Sequence, residues 1–313
     1  MADVAASVLA KLKDRAKATG ISYQQCLQLF FQEEFLRKLS LSSYAEHFIL
    51  KGGLFIYTLT NFESRATVDV DFLMRGLRND FENMDGIIAE IIKIPTGNDF
   101  ITFKATKTEP IALQRKYHGV STQITGCIKN VRVPFSVDIG VGDVIVPRPE
   151  KRSIQTQLAG FDQPSILTYS MESTIAEKFD AMLQRFELTS RMKDFYDIYY
   201  LSRTFDFDGG RLLCAFQQTL QNRGTEYDKE SFNRILALAE DESMQVKWRH
   251  FLKSLGKSEI SFSVVLNGIE TFLAPVWDAL IHKDIFEKCW NAKELEWHYI
   301  AHKENSGRHC SEV

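Results

Sequence analysis

The segment Ile49–Met74, ILKGGLFIYTLTNFESRATVDVDFLM, decides the fold of this chain. After a diglycine, the spacing of apolar residues predicts a short helix from about Gly53 to Leu59. The run from Thr67 to Met74 is rich in β-branched and apolar residues, which predicts a strand buried in a sheet. Two aspartates, Asp69 and Asp71, interrupt this strand, and their presence there needs a physical reason.

Asp69 and Asp71 are two residues apart, so in a strand their side chains point to the same face. Their carboxylates would lie roughly 6–7 Å apart, and two such charges repel by about 2–3 kcal/mol at an effective dielectric constant of 20. A cation between the carboxylates removes this cost. Because Mg²⁺ prefers carboxylate and phosphate oxygens, we expect the pair to hold Mg²⁺, or Mn²⁺ in its place.

The diglycine, Gly52 and Gly53, comes directly before the predicted helix. Glycine has no Cβ, so the backbone N–H groups at the start of the helix can approach a phosphate closely. Each feature is common by itself, because an Asp-x-Asp sequence at a strand end is often a turn and paired glycines occur in many loops. Together, a phosphate-binding turn and a metal-binding pair are what nucleotidyl transfer requires.

A third carboxylate from a neighbouring strand is expected in chemistry that uses two metal ions. The strand-like run Arg132–Ile139 has Asp138 near its end, just before two glycines. Asp138 is therefore the candidate for the third metal ligand, and Asp143 is a weaker competitor. The alternative is that Asp138 only makes a turn at the end of its strand.

Two basic residues on a later helix could bind the triphosphate of a nucleotide. Ser170 has the residue type of an N-cap and predicts a helix that runs to about Phe186. Lys178 and Arg185 are seven residues apart on this helix, on one face and outside its apolar stripe. They could grip a triphosphate. For Arg185 the alternative is a solvated basic edge.

A second helix is predicted to begin near Arg191. Asp194 and Asp197 are three residues apart on this helix and are neighbours on one face. Lys193 lies beside them. A purely structural role is open here, in which Asp194 caps the start of the helix and Asp197 pairs with Arg185 or Arg191.

The composition is that of a globular protein without a bulk basic field. The 313 residues have a formal net charge of -3, so a nucleic-acid partner would need a local basic patch. The five cysteines include no CxxC pair, which argues against a zinc knuckle or a disulfide framework. The N-terminus lacks the apolar stretch of a signal peptide, and no window approaches 18 uncharged apolar residues. We therefore expect a cytoplasmic protein with no membrane segment.

The periodicity along the chain predicts an α+β protein in four parts. Residues 1–46 form an N-terminal helical segment that packs on the core, and residues 47–150 form an α/β core with a mixed sheet flanked by helices. Residues 151–303 form a C-terminal helical domain. The last residues, 304–313, are expected to be a disordered tail.

These motifs together resemble a known family. An apolar residue before Gly-Gly, a short helix and an Asp-x-Asp strand are similar to the signature of the polymerase β-like nucleotidyltransferase superfamily. The Ala-Glu-Lys sequence of the later helix and the Lys-Asp sequence that follows narrow the resemblance to the AbiEii/AbiGii nucleotidyltransferase toxins. The match covers roughly residues 48–202 and implies a polymerase β-like nucleotidyltransferase core.

The resemblance also implies roles for individual residues. In the family, the Gly-Gly turn and the two strand aspartates form the first motif, the Ala-Glu-Lys lysine contacts nucleotide phosphates, and the Lys-Asp aspartate is a further essential acid. An arginine and a hydroxyl ahead of the strand aspartates can steady the strand or the triphosphate. In this chain these positions are Gly53, Asp69 and Asp71, then Lys178, Asp194, Arg65 and Thr67.

The function implied by the resemblance is a Mg²⁺-dependent transfer of a nucleoside monophosphate from an NTP to an acceptor hydroxyl. The favoured acceptor is the 3′ end of tRNA, and the protein would be the toxin of a type IV toxin–antitoxin or abortive-infection pair, with an antitoxin as its partner. Two alternatives stay open. One is a catalytically silent nucleotide- or RNA-binding module on the same fold, and the other is a transferase with a small-molecule or protein acceptor.

Overall fold

The computed structural model describes residues 3–78, 80–111, 119–185, 191–257 and 259–300. They form two compact units. Unit 1 contains the chain up to Gly142 together with Pro149–Tyr169, and unit 2 contains Asp143–Arg148 and the chain from Ser170 onward. The predicted α+β class, with a mixed sheet and flanking helices, is confirmed.

Unit 1 is a seven-stranded sheet with helices. The sheet has the strand order β3-β4-β5-β2-β1-β7-β6, in which β2 runs parallel to β5, β1 runs parallel to β7, and the other neighbours are antiparallel. Its elements are α1 (Val4–Thr19), α2 (Tyr23–Ser40), β1 (Phe48–Lys51), α3 (Gly52–Leu59), β2 (Val70–Met74), α4 (Phe81–Ile91), β3 (Thr102–Ile111), β4 (Gly119–Ile128), β5 (Val131–Gly140), β6 (Glu150–Ser153) and β7 (Ser165–Thr168).

The core of unit 1 lies between one face of the sheet and α2. Phe35 of α2 packs against Phe72 of β2 and Phe135 of β5, with ring centroids 6.3 and 6.2 Å apart. Phe31 of α2 packs in the same way on Phe103 of β3. Because side chains alternate along a strand, the strand residues between these aromatics point to the opposite face of the sheet. That opposite face is where polar side chains can gather.

Unit 2 is mainly helical and has a small sheet of its own, with the strand order β10-β9-β8. Its core includes Phe179 of the first helix, which packs against Phe216, Phe232 and Trp277. Its elements are α5 (Met171–Arg185), α6 (Met192–Thr204), β8 (Phe207–Asp208), α7 (Gly209–Arg223), α8 (Ser231–Leu236), a 3₁₀ turn (Ala237–Glu240), α9 (Glu242–Leu255), α10 (Phe262–His282), β9 (Lys288–Asn291) and β10 (Glu296–Tyr299).

Helix α10 is long and apolar enough to cross a membrane by length and composition alone, with a mean hydropathy of 1.4 over its most apolar window. Half of that window is buried inside the protein. Ile269, Phe272 and Leu273 of this helix have no exposed surface. A helix that buries one face in this way is typical of a protein core.

The observed units divide the chain differently from the predicted segments. The predicted boundary at residue 150 falls on the first residue of β6, and β6 and β7 add two strands to the sheet of unit 1. These strands have four residues each, which is too short for a reliable alternation of polar and apolar residues. Helices α1 and α2 belong to unit 1. The predicted tail, 304–313, lies outside the described residues.

Candidate active site

A row of four polar residues crosses the middle of the unit 1 sheet. Asp71 of β2 is paired directly with Asp138 of β5 on one side and with Lys51 of β1 on the other. Asp138 is in turn paired with Ser121 of β4. Because directly paired residues of neighbouring strands project to the same face, the four side chains stand in line, and the two carboxylates are neighbours on adjacent strands.

The two ends of this row are bound to their surroundings. The Ser121 hydroxyl donates a hydrogen bond of 2.6 Å to Oδ1 of Asp138, which fixes one oxygen of that carboxylate. At the other end, the Lys51 ammonium lies 5.1 Å from the centre of the Tyr169 ring, within the range of a cation–π interaction. Asp71 and Asp138 are both half-buried, so water screens their charges only partly.

Asp69 does not lie in the strand that was predicted to contain it. The sequence predicted a strand from Thr67, but β2 begins at Val70, so the argument from strand alternation that placed Asp69 beside Asp71 was wrong. The reason is a contact between distant segments, because the Val68 carbonyl accepts hydrogen bonds from side chains of α2. Asp69 is half-buried and immediately precedes the strand.

The diglycine lies against this row of residues. Gly52 has a φ of +68°, and a Cβ at that position would lie 2.1 Å from Oδ2 of Asp71. A Cβ on Gly53 would lie 2.8 Å from Oγ1 of Thr67 and 3.5 Å from Nη1 of Arg65. Any other residue would therefore displace Asp71 or Thr67. The Gly52-Gly53 turn, which was predicted to approach a phosphate closely, therefore also packs against Asp71, a candidate metal ligand.

Helix α3 begins at Gly52, and its N-cap residue, Lys51, makes no side-chain capping bond. The first N–H groups of a helix have no partner inside the helix and carry a partial positive charge. The start of α3 therefore offers backbone donors next to Asp71. Arg65, which is buried, brings a guanidinium group to the same turn.

The residues fit a divalent cation by their chemistry. Asp71 and Asp138 supply carboxylate oxygens from adjacent strands in register, and Mg²⁺ is commonly bound by one or two carboxylates while water and phosphate complete its shell. In the part of the chain that the structure describes, no three or more acidic, histidine or cysteine side chains are already grouped for a metal. Asp69 is thus not gathered with the other two carboxylates.

Lys178 of unit 2 is buried between two aspartates of the next helix. Its Nζ lies 3.2 Å from Oδ1 of Asp194 and 2.7 Å from Oδ2 of Asp197. Nε of Arg191 lies 2.6 Å from Oδ2 of Asp194. The expectation that Lys178 stands outside the buried face of its helix was wrong, because its ammonium compensates two carboxylates inside the protein. Arg185, by contrast, is exposed at the end of α5. A solvated basic edge was the alternative considered for this residue.

The surroundings of Asp194 favour its charged form. Burial acts to raise the pKa of this carboxyl, but the charges and hydrogen bonds of Lys178 and Arg191 outweigh it, and the pKa lies below its ordinary value. The structure gives both aspartates partners beyond those suggested for them. Arg191 itself is the N-cap residue of α6, and Asp197 pairs with Lys178.

A second buried ion cluster, which the sequence did not reveal, surrounds Arg223 in unit 2. This guanidinium binds Asp143 at 2.9 Å, Glu177 at 3.1 Å and Asp180 at 2.9 Å. Burial acts to lower the pKa of Arg223, but the three carboxylates raise it above its ordinary value. Asp143, the weaker candidate for the third metal ligand, is thus engaged in this cluster. The acidic pair three residues apart on α5 was the available signal for it.

Comparisons with known proteins give a matching family model and solved structures with a similar fold. A family model described as "Nucleotidyl transferase AbiEii toxin, Type IV TA system" matches residues 34–281. The nucleotidyltransferase toxin MenT4 of Mycobacterium tuberculosis H37Rv has a similar fold, with 15% identity, a TM-score of 0.51, and coverage of 88% of this chain and 99% of that one. The structure of JHP933 from Helicobacter pylori matches with 13% identity and a TM-score of 0.49 over 84% and 95% of the two chains. No curated protein sequence matches.

Proposed function

Because the chain belongs to the AbiEii family of nucleotidyltransferase toxins from type IV toxin–antitoxin systems, we propose that it transfers a nucleoside monophosphate from an NTP to the 3′ end of tRNA with Mg²⁺ as the cofactor. The observation that carries the proposal is the pairing of Asp71 with Asp138 on adjacent strands, directly against the diglycine. A phosphate-binding turn and a pair of carboxylates are the two parts that this chemistry needs.

In this proposal Asp71 and Asp138 hold the cation, and Mn²⁺ can replace Mg²⁺. Asp69, whose carboxylate is not grouped with these two in the structure, completes the set by turning its side chain toward the ion when the ion binds. When bound, the divalent ion neutralises the triphosphate and lowers the pKa of the attacking hydroxyl. The Ser121 hydroxyl orients the Asp138 carboxylate by its hydrogen bond to Oδ1.

The nucleotide phosphates are proposed to bind at the start of α3. The backbone N–H groups that follow Lys51 are the donors, and the missing Cβ atoms of Gly52 and Gly53 let a phosphate oxygen approach them. Arg65 and Thr67, which lie next to Gly53, steady this turn. Anionic phosphates are stabilised both by the helix start and by a buried guanidinium.

Three residues of unit 2 are proposed to take part. Lys178 is proposed to neutralise phosphate charge, and to do so it must exchange one of its two carboxylates for a phosphate oxygen. Asp194 would hold the lysine until the nucleotide binds. Arg185, whose side chain is exposed to solvent, would add a second positive charge for the triphosphate. Such an exchange is feasible because both carboxylates that bind the lysine are oxygen acceptors, as a phosphate oxygen is.

The tRNA acceptor, a cytoplasmic location and a cognate antitoxin rest on the family. A toxin that modifies the acceptor end of tRNA needs access to tRNA, which a cytoplasmic location provides. The antitoxin is proposed because the family belongs to type IV toxin–antitoxin systems. A small-molecule or protein hydroxyl is the competing acceptor. A silent nucleotide-binding module would not need Asp138 in register with Asp71, and this pairing is the reason to favour catalysis.

The proposal is tested by incubating the protein with each α-³²P-NTP, Mg²⁺ and total cellular RNA. We expect label in a tRNA-sized band, and its loss on treatment with EDTA. Asp71→Asn and Asp138→Asn should each abolish labelling while the protein stays folded, and Asp14→Asn, at an exposed position of unit 1, is the matched control. Full labelling by either site variant would refute the assignment, and metal-dependent NTP binding without any labelled product would favour the silent module.

A further inference from the structure

Two buried glutamines of α2 hold the backbone immediately before Asp69. Nε2 of Gln28 and Nε2 of Gln32 each donate a hydrogen bond of 2.8 Å to the carbonyl oxygen of Val68. The two glutamines are four residues apart, so they lie on one face of the helix. Both are buried, with 7% and 1% of their surface exposed. The Val68 carbonyl oxygen thus accepts two hydrogen bonds, both from side chains of α2.

Packing does not explain this arrangement. Glutamine is mostly found at protein surfaces, and a buried amide costs free energy unless it is hydrogen-bonded. The side chain of Val68 contributes little to a core, since 58% of it is exposed. What α2 holds is the carbonyl of this residue and not its side chain. Two buried amides are therefore committed to the orientation of a single peptide group.

That peptide group is the one that carries Asp69. The carbonyl of Val68 and the nitrogen of Asp69 belong to the same rigid plane, so a carbonyl fixed by two donors also fixes the direction in which the chain enters Asp69. Asp69 lies just outside β2 and therefore has no strand ladder to orient it. The glutamines supply the constraint that the sheet gives to Asp71 and Asp138.

We propose that Gln28 and Gln32 are positioning residues that orient Asp69 for the divalent cation. This inference rests on the proposed function, in which Asp69 is a ligand. The two amides act through the backbone and touch neither the ion nor the nucleotide. Their loss leaves the chemistry of the carboxylates intact and makes the third ligand less well placed.

The test replaces both glutamines by methionine, which has a similar length but no N–H donor. Gln157→Met is the matched control, because Nε2 of Gln157 is also buried and donates a bond of 2.8 Å to a carbonyl of the same helix, at Cys26. Mn²⁺ binding is measured by electron paramagnetic resonance in the presence of a non-hydrolysable NTP analogue. The Mg²⁺ dependence of transfer is measured in parallel.

We expect the double variant to bind Mn²⁺ roughly 10-fold more weakly, which is the effect typical of losing outer partners of metal ligands. Its transfer rate should recover at saturating Mg²⁺, so that the metal requirement changes and the maximal rate changes little. The single variants keep one donor each and should be affected less. They also serve if the double variant does not fold.

Equal Mn²⁺ affinities in the control and in the Gln28 and Gln32 variants would overturn the positioning role. A loss of maximal rate without a change in metal affinity would overturn it as well. Failure of the proposed function looks different, because the unmodified protein would then neither bind Mn²⁺ with the analogue nor transfer label at any Mg²⁺ concentration. That result would refute both proposals together.

Discussion

Replacing Glu33 with glutamine should remove a strong pH dependence from the stability of unit 1. Glu33 lies on α2, fully buried, and its Oε1 accepts a hydrogen bond of 2.9 Å from the backbone N–H of Gln157. Its Oε2 has no hydrogen-bond partner among the described residues. Burial raises the pKa of this carboxyl from 4.5 to about 8, so the group is neutral in the folded protein at neutral pH.

The sign and the size of the effect follow from this pKa. An acid whose pKa is raised on folding stabilises the folded state below its unfolded pKa, and this stability is lost as the pH rises through the folded pKa. The window for Glu33 is therefore pH 4.5 to about 8. A shift of this size corresponds to about 5 kcal/mol in total, and about 4 kcal/mol of it would be lost between pH 5 and pH 8.

The assay is urea unfolding of the wild type and of Glu33→Gln at several pH values between 5 and 8.5. The difference between the two unfolding free energies isolates Glu33 from the other titrating groups. The variant should gain relative to the wild type as the pH rises, because the glutamine oxygen still accepts the Gln157 bond and never ionises. Glu46→Gln, at an exposed ion pair with Lys151, should shift stability by less than about 1 kcal/mol at every pH.

Parallel unfolding curves for the wild type and Glu33→Gln across this pH range would refute the reasoning. They would show that the carboxyl ionises in the folded protein as it does in water, and that water or a cation reaches it. The refutation would concern only the burial of Glu33 and would leave the candidate active site untouched.

Three further changes give measurable outcomes. Gly52→Ala puts a methyl group against Asp71 at a φ of +68°, so transfer should fall at least about 100-fold. Gly20→Ala, which has a φ of +72° and open space around its Cβ position, should cost only about 1–2 kcal/mol of stability, and equal activities of the two variants would contradict the proposed contact. Asp194→Asn leaves Lys178 with one carboxylate fewer and should lower the unfolding free energy by about 3 kcal/mol at pH 7; an unchanged unfolding free energy would count against the ion pair. Arg223→Met leaves three acidic groups around an apolar side chain and should cost about 3–5 kcal/mol in urea unfolding, and a variant as stable as the wild type would show that water already screens the cluster.

The sequence was most informative where the pattern was long or chemically constrained. The helix after the diglycine, the strand of Asp71 and the strand of Asp138 were predicted within a few residues of α3, β2 and β5. The Ser170 cap is also confirmed, since its hydroxyl accepts a hydrogen bond from the backbone N–H of Ser173 at 3.0 Å. These features depend on local periodicity or on a single capping residue, and both can be identified in a single sequence.

The parts that the sequence did not predict depend on contacts between distant segments. The start of β2 is shifted because side chains from α2 bind the Val68 carbonyl, and no local pattern announces such a bond. The burial of Lys178 depends on two aspartates of another helix, and a lysine in a helix is usually a surface residue. The sequence predicted Asp138 as a carboxylate from a neighbouring strand, but the register that pairs it directly with Asp71 follows from the sheet and not from spacing along the chain.

The position of β1 between β2 and β7 has a consequence for dissecting the protein. β7 lies beyond the boundary that the sequence predicts at residue 150, yet it pairs with Ile49 and Leu50 directly ahead of the diglycine. A fragment that stopped at residue 150 would leave this apolar strand with unpaired N–H and C=O groups, which are a template for joining other molecules. Insolubility of such a fragment would therefore reflect the absence of β7 beside β1. A fragment that extends through Tyr169 would retain β7.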